Sequence, residues 1–179
     1  MDAFEQVVSG IFFRDGYWVS QGFKVELTAE EKKAIGRPST PRWEIDLLGF
    51  KGATGELLVI ECKSYLDSGG VAANDLIAPT GETSRYKLFT DATLRKVVLN
   101  RLALQLHDTG LIPPGVTPKL ALVVGKMKSP GDLTRLREHF QAQGWSLYDR
   151  DWLVGKLKQT ADESYFDSVA HVVSKLLLR

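Results

Sequence analysis

One cysteine, Cys62, stands among 179 residues. An internal disulfide is therefore excluded, and no cluster of Cys and His has the spacing of a zinc site. Long apolar runs are missing too. Nothing approaches the roughly 18 residues of a membrane span, and the opening from Met1 to Glu5 is no secretory signal. A cytoplasmic protein with no membrane partner is expected. Net charge is nearly absent, since 23 Lys and Arg against 22 Asp and Glu leave +1. Bulk charge thus does not announce a nucleic-acid partner, although a local basic surface is enough to hold phosphates. There are no internal repeats and no low-complexity runs. What remains is an ordinary globular composition, 44% hydrophobic and 25% charged, on a chain of one-domain length able to bury a sizeable core.

Residues 2–14 read as a helix with Asp2 as N-cap and Phe4, Val7, Val8, Ile11 and Phe12 on its apolar face; Gly16 stops it. A strand over 17–27 follows, with Gly22 as a bulge. Thr28 and Glu31 have capping-box spacing for a short exposed helix, and 36–41 form a loop carrying Arg37. Strands at 42–51 and 57–64 are joined by a Gly-containing turn. The low-regularity stretch from Tyr65 to about Ser84 reads as a substrate-contacting loop. Asp91 then caps a helix to about His107, with Leu94, Val98 and Leu102 on its apolar arc. Residues 118–125 read as a strand buried on both sides. Ser129 and Pro130 fit N-cap and N1 of a helix to Gln143 that Gly144 ends. A strand at 145–148 and a helix capped by Asp149 follow. A last helix over 162–178 is expected to bury Tyr165, Val169, Val172, Val173 and Leu176. These C-terminal elements read as a flanking layer or a dimer surface. The order predicts an α/β fold: a central mixed sheet of about four to five strands flanked by helices.

The hairpin carries the chemistry. Its second strand is apolar on both faces, with Leu57 and Val59 on one and Leu58 and Ile60 on the other, yet it ends in Glu61, Cys62 and Lys63. Alternation puts Glu61 and Lys63 on one face and Cys62, a small buried hydrophobe, on the other. Charges at the end of a dry strand are costly unless paired or bound to metal. Hairpin pairing brings Asp46, on the first strand, near Glu61. Two carboxylates that close repel, and a hard divalent cation relieves the repulsion; Mg²⁺ suits a site with few protein ligands and several waters. Lys63 would then offset developing charge or help deprotonate a metal-bound water. The plain alternative is a hairpin closed by a surface ion pair.

Asp46, a strand ending in Glu61-x-Lys63, and a Glu on the first helix, Glu5, together resemble the PD-(D/E)XK nuclease superfamily. Within it they resemble the branch of Mrr-type restriction endonucleases and archaeal Holliday-junction resolvases. The resemblance covers roughly residues 1–128. The Pro of the family signature is replaced by Ile45, as is common in that branch. The resemblance implies a restriction-endonuclease-like fold and a Mg²⁺-dependent DNA endonuclease, with Mn²⁺ as a substitute. In it Asp46, Glu61 and the Cys62 backbone carbonyl bind metal, Lys63 assists the attacking water, and Glu5 completes the site or holds a second metal. Read without the resemblance, Glu5 falls close to Phe12 at the border of the apolar face, where it either leans toward the edge that holds Asp46 and Glu61 or is a first-turn acid favoured by the helix dipole. A Gln on the helix after the hairpin is frequent in that branch, and Gln105 falls with Arg101 inside the apolar arc of the 91–107 helix. One reading turns both toward the site; the other has Arg101 snorkel and Gln105 bond a backbone group. Arg37, Arg42, Lys87, Arg95 and Arg101 are the cations expected to grip phosphates. DNA is the expected partner, and a homodimer would let two sites cut two strands. With no separate reading domain, recognition would rest on DNA structure or on recruitment by another protein. The competing class is a nucleic-acid-binding or interaction protein that keeps the fold and does not cut.

Overall fold

The hairpin forms where the apolar pattern predicts it. Strands β2 (Trp43–Lys51) and β3 (Glu56–Lys63) pair antiparallel, with Leu47 opposite Ile60 and Leu48 opposite Val59. β1 (Trp18–Val25) adds to β2 antiparallel, while β4 (Pro118–Val124) and β5 (Ser146–Tyr148) continue beyond β3 in parallel. The five strands therefore lie in chain order, β1-β2-β3-β4-β5. β3 and β4 are interior strands with helices over both faces, which is why their sequences run apolar instead of alternating. The computed structural model describes residues 2–39, 42–80, 84–164 and 168–178.

Each sheet face carries its own core. On one side α1 (Ala3–Arg14) and α7 (Arg150–Asp162) bring Val8, Ile11, Phe12 and Leu153 against Leu47, Leu58 and Ile60. On the other, α4 (Lys87–Thr90), α5 (Ala92–Asp108) and α6 (Pro130–Gln143) bring Phe89, Leu94, Val98 and Phe140 against Leu48, Leu57, Val59 and Leu120. The smaller helices are α2 (Ala29–Ala34), α3 (Asn74–Ile77), a 3-10 turn at Ser84–Tyr86, and α8 (Val169–Leu178). Side-chain caps set the helix starts: Asp2, Thr28, Asp91, Ser129 and Asp149 each accept the backbone N–H three residues on. The coarse expectation of a helix-flanked mixed α/β sheet therefore holds. Among the described residues, no helix is long and apolar enough to cross a membrane.

One rung of the sheet is irregular, and it holds Asp46. Val19 and Leu47 pack in the α1-side core, whereas Phe23, Val25 and Ile45 pack in the α5-side core. Residues of the same parity thus change faces along both strands. The change falls at Gly22 and Asp46, the rung missing from the β1–β2 ladder, and Gly22 has φ 59°. Only glycine enters that left-handed region without cost. The expected bulge at Gly22 is corrected: pairing on either side of the gap keeps one register, so no extra residue is inserted, and the ladder is instead interrupted at the unpaired Gly22 and Asp46.

The loop after β3 is more ordered than its composition suggests. Val71 bridges to Met127 in parallel, Lys126 Nζ donates to the Ser68 carbonyl (2.6 Å), and Ala73 N–H donates to Asp132 (2.8 Å). The expected structureless loop over 65–84 is thus corrected, with residues 81–83 outside the described part. Backbone bonds to the β4 extension hold it, a pairing that local sequence does not encode. Gly125 closes the junction, donating its N–H to the Lys63 carbonyl at 2.9 Å. A Cβ there would stand 2.4 Å from the Ser64 carbonyl oxygen. Gly125→Ala is therefore expected to destabilise the protein by about 1–3 kcal/mol, seen as a lower Tm. It should also shift the end of β3 that carries Lys63. An unchanged Tm would show that this close approach is not tight.

α8 reverses its expected orientation. Val169 and Leu176 are 82% and 77% exposed and Val173 is 45% exposed, while His171 and Ser174 face inward. Lys175 Nζ donates to the carbonyls of Ala161 and Glu163, at 3.0 and 2.6 Å, satisfying groups at the end of α7. This polar seam, not the Val and Leu stripe, seats the helix. Tyr165 lies outside the described residues.

Candidate active site

The β2–β3 ladder ends at Leu47–Ile60, so the next rung is open. Asp46 fills it with its side chain: Oδ2 accepts the Cys62 N–H at 2.8 Å. Glu61 and Lys63 continue the β3 alternation on the α5-side face, and Lys63 Nζ donates to Glu61 Oε1 at 2.6 Å. The ammonium lies 5.9 Å from the centroid of the Tyr86 ring, within cation–π range. Glu5 comes from the first turn of α1, where its backbone N–H donates to Asp2 and its carboxylate accepts from the Asp2 N–H. A cleft of about 410 Å³ opens here, lined by Asp2, Glu5, Asp46, Cys62, Lys63, Ser64, Tyr65 and Arg85. Glu61 is not in its wall.

The charges act on one another across this edge. Burial first, then the Asp46 charge, raise the Glu61 pKa from its ordinary value, against the pull of Lys63. Glu5 is raised by the same two causes in the same order. Burial opposes the ammonium form of Lys63, but the charge and hydrogen bond of Glu61 outweigh it and the pKa rises. Burial raises the Cys62 thiol strongly, so it is an inert core group, as expected for a buried small hydrophobe. Three carboxylates, those of Glu5, Asp46 and Glu61, thus crowd one lysine, an arrangement short of positive charge.

Among the described residues, no three Asp, Glu, His or Cys side chains stand together as a ready metal cage. The reason is visible in the bonds: Glu61 is turned to Lys63, Asp46 to the Cys62 N–H, and Glu5 to Asp2. The donor set nevertheless fits a hard dication. Mg²⁺ needs only one or two carboxylates and keeps several waters. Asp46 and Glu61 each engage one carboxylate oxygen with a protein donor, Oδ2 and Oε1.

The other residues predicted for the site are placed elsewhere. Gln105 does not join it: Nε2 donates to the Lys24 carbonyl (3.1 Å) and Oε1 accepts the Glu26 N–H (3.0 Å), tying α5 to the end of β1. The backbone-bonding alternative is the correct one. Arg101 is held by both carboxylate oxygens of Glu31 on α2. Arg95 donates to the Leu88 and Phe89 carbonyls and packs 5.0 Å from the Trp145 ring centroid, a half-buried structural role. Arg42 pairs with Glu26 at 3.2 Å, Arg37 lies over Trp43, and Lys87 opens α4 outside the cleft wall. None of these five cations lines the cleft.

Two groups of the cleft escaped sequence reasoning. Arg85 is an exposed cation in its wall, on the 3-10 turn. Its only sequence signal was the basic run from Arg85 to Lys87. Tyr65, directly after β3, is the one non-glycine residue with positive φ (43°) among the described residues. Its side chain lines the cleft, and Tyr86 supplies the ring beneath Lys63. A non-glycine backbone held in this region marks a position that its surroundings over-determine. No family model, curated protein or solved structure matches this chain.

Proposed function

We propose that this chain is a Mg²⁺-dependent DNA endonuclease on a restriction-endonuclease-like fold. The observation that supports the reading best is the convergence of Asp46, Glu61 and Lys63 at the open end of the β2–β3 ladder, with Glu5 beside them. Asp46, Glu61 and the Cys62 carbonyl would hold the cation, with Glu5 completing the acidic wall. Bound there, the cation would polarise the phosphoryl oxygen and acidify a water. Hydrolysis forms one P–O bond from water and breaks the ester P–O bond, so negative charge builds on the non-bridging oxygens. Lys63 is an ammonium held by Glu61 and stacked on Tyr86, which suits it to offset that charge. Arg85, in the same wall, would hold the phosphate while the leaving oxygen departs.

One observation favours the non-cutting class: Glu61 is turned to Lys63 and not into the cleft. The two are separated by incubating the protein with supercoiled, linear, single-stranded and four-way-junction DNA in Mg²⁺, Mn²⁺ or chelator. Cleavage with either ion and none with chelator is expected. Binding without cleavage in both ions would assign the protein to the non-cutting class.

A further inference from the structure

The cleft beside Asp46 is not alone on its edge of the sheet. β3, β4 and β5 are parallel, so their C-terminal ends face the same way, and a second cleft of about 440 Å³ opens where β4 and β5 end. Residues 126–130, Leu133 and 149–151 line it. We propose that this second cleft holds backbone phosphates of the same DNA strand that is cut at Lys63, gripped by Lys128 and Arg150. The proposal rests on the nuclease reading for the position of the scissile bond.

The sequence-predicted phosphate cations do not line the active-site cleft, and Arg95, Arg101 and Arg42 are already engaged by protein groups. Lys128 and Arg150 differ. Both are exposed, and among the described residues neither forms an ion pair, although the Asp132 carboxylate on α6 lies near enough to Lys128 to feel its charge. The third cation of the wall, Lys126, is engaged with the Ser68 carbonyl. Of the two acids in the wall, Asp149 is buried, caps α7 through the Trp152 N–H, and pairs with Arg137. Asp151 is exposed at the start of α7 and opposes the cations only in part. The α6 and α7 N-termini add donor groups to a cleft whose cations already select an anion.

Neighbouring strands lie about 4.8 Å apart, so β5 is roughly 10 Å from β3, a span that a few nucleotides of one strand cover. Between the clefts the surface is firm. The Val71–Met127 bridge and the bond from Lys126 to Ser68 stitch the intervening loop to the β4 extension. A strand crossing the edge from β3 to β5 would thus meet a continuous wall.

The test is the salt dependence of binding, measured with the full chain. Fluorescent four-way-junction and duplex DNA are titrated in chelator, where no cutting is expected, at several salt concentrations. For whichever DNA binds, Lys128→Ala and Arg150→Ala should each lower the slope of log K against log salt by about 0.9, and the double variant by about 1.8. Both residues are exposed, so the Tm should be unchanged. With Mg²⁺, the double variant should raise KM and leave kcat near wild type. Arg101→Ala, removing a cation already paired with Glu31, should leave the slope as it was. An unchanged slope in the double variant overturns the phosphate cleft while leaving the nuclease reading intact. Slopes that fall as expected in a protein that never cuts would overturn the nuclease reading and keep the cleft. A wild-type chain that binds neither DNA overturns both.

Discussion

Asp46→Asn and Lys63→Ala are each expected to lower metal-dependent DNA cleavage by on the order of 10³-fold, with the fold retained by circular dichroism. The two variants remove different things. Asn keeps a carbonyl oxygen to accept the Cys62 N–H that Asp46 Oδ2 accepts now, at 2.8 Å, so the open rung stays closed while one metal donor's charge is lost. Lys63→Ala removes the cation closest to Glu61 and leaves that carboxylate beside Asp46 without its counter-charge. A loss of rate in both, with DNA binding largely kept, separates chemistry from docking. Cleavage that persists undiminished in a clean preparation of either variant would remove that residue from the mechanism.

The same charge crowding makes a second, opposite prediction for stability. In chelator, Asp46→Asn should raise the Tm. It relieves repulsion on both Glu61 and Glu5, whose carboxyl groups burial and then Asp46 push up. A gain on the order of 1 kcal/mol corresponds to about 2–4 °C for a chain of this size. Asp46 also supports the charge of Lys63, but Glu61 at 2.6 Å is the nearer partner. Mg²⁺ should reverse the ranking. A cation that binds only the folded site adds about 2.7 kcal/mol when present at a hundred times its Kd. Wild type should therefore gain Tm with Mg²⁺ and the variant should gain much less. If Asp46→Asn lowers the Tm in chelator and Mg²⁺ moves neither protein, the hairpin end is an ordinary ion pair and not a cation site.

Much of this was legible in the chain because it depends on near neighbours. The caps at Asp2, Thr28, Asp91, Ser129 and Asp149 were readable because a cap and the N–H it accepts are three residues apart. β3 and β4 were readable because interior strands carry no polar face. The proximity of Asp46 to Glu61 followed from a short turn that leaves one plausible register. The failures share a different cause. Arg101 meets Glu31 across 70 positions, and Gln105 meets Lys24 across 81. α8 could not be oriented because its apolar stripe suggested burial, whereas the end of α7 offered carbonyls to Lys175.

The sequence alone determined where the capped helices begin, where the long apolar strands lie, and which charged residues sit at the close of one of them. Those are local matters of side-chain alternation, capping oxygens and backbone freedom at glycine. Only the tertiary structure decided which arginines are already engaged, that Arg85 and Tyr65 join Asp46 at the cleft, and that Lys128 and Arg150 lie exposed in a second cleft along the same edge. A charge is available to a ligand only if no nearer protein group satisfies it, and that nearer group comes from whichever element packing brings alongside.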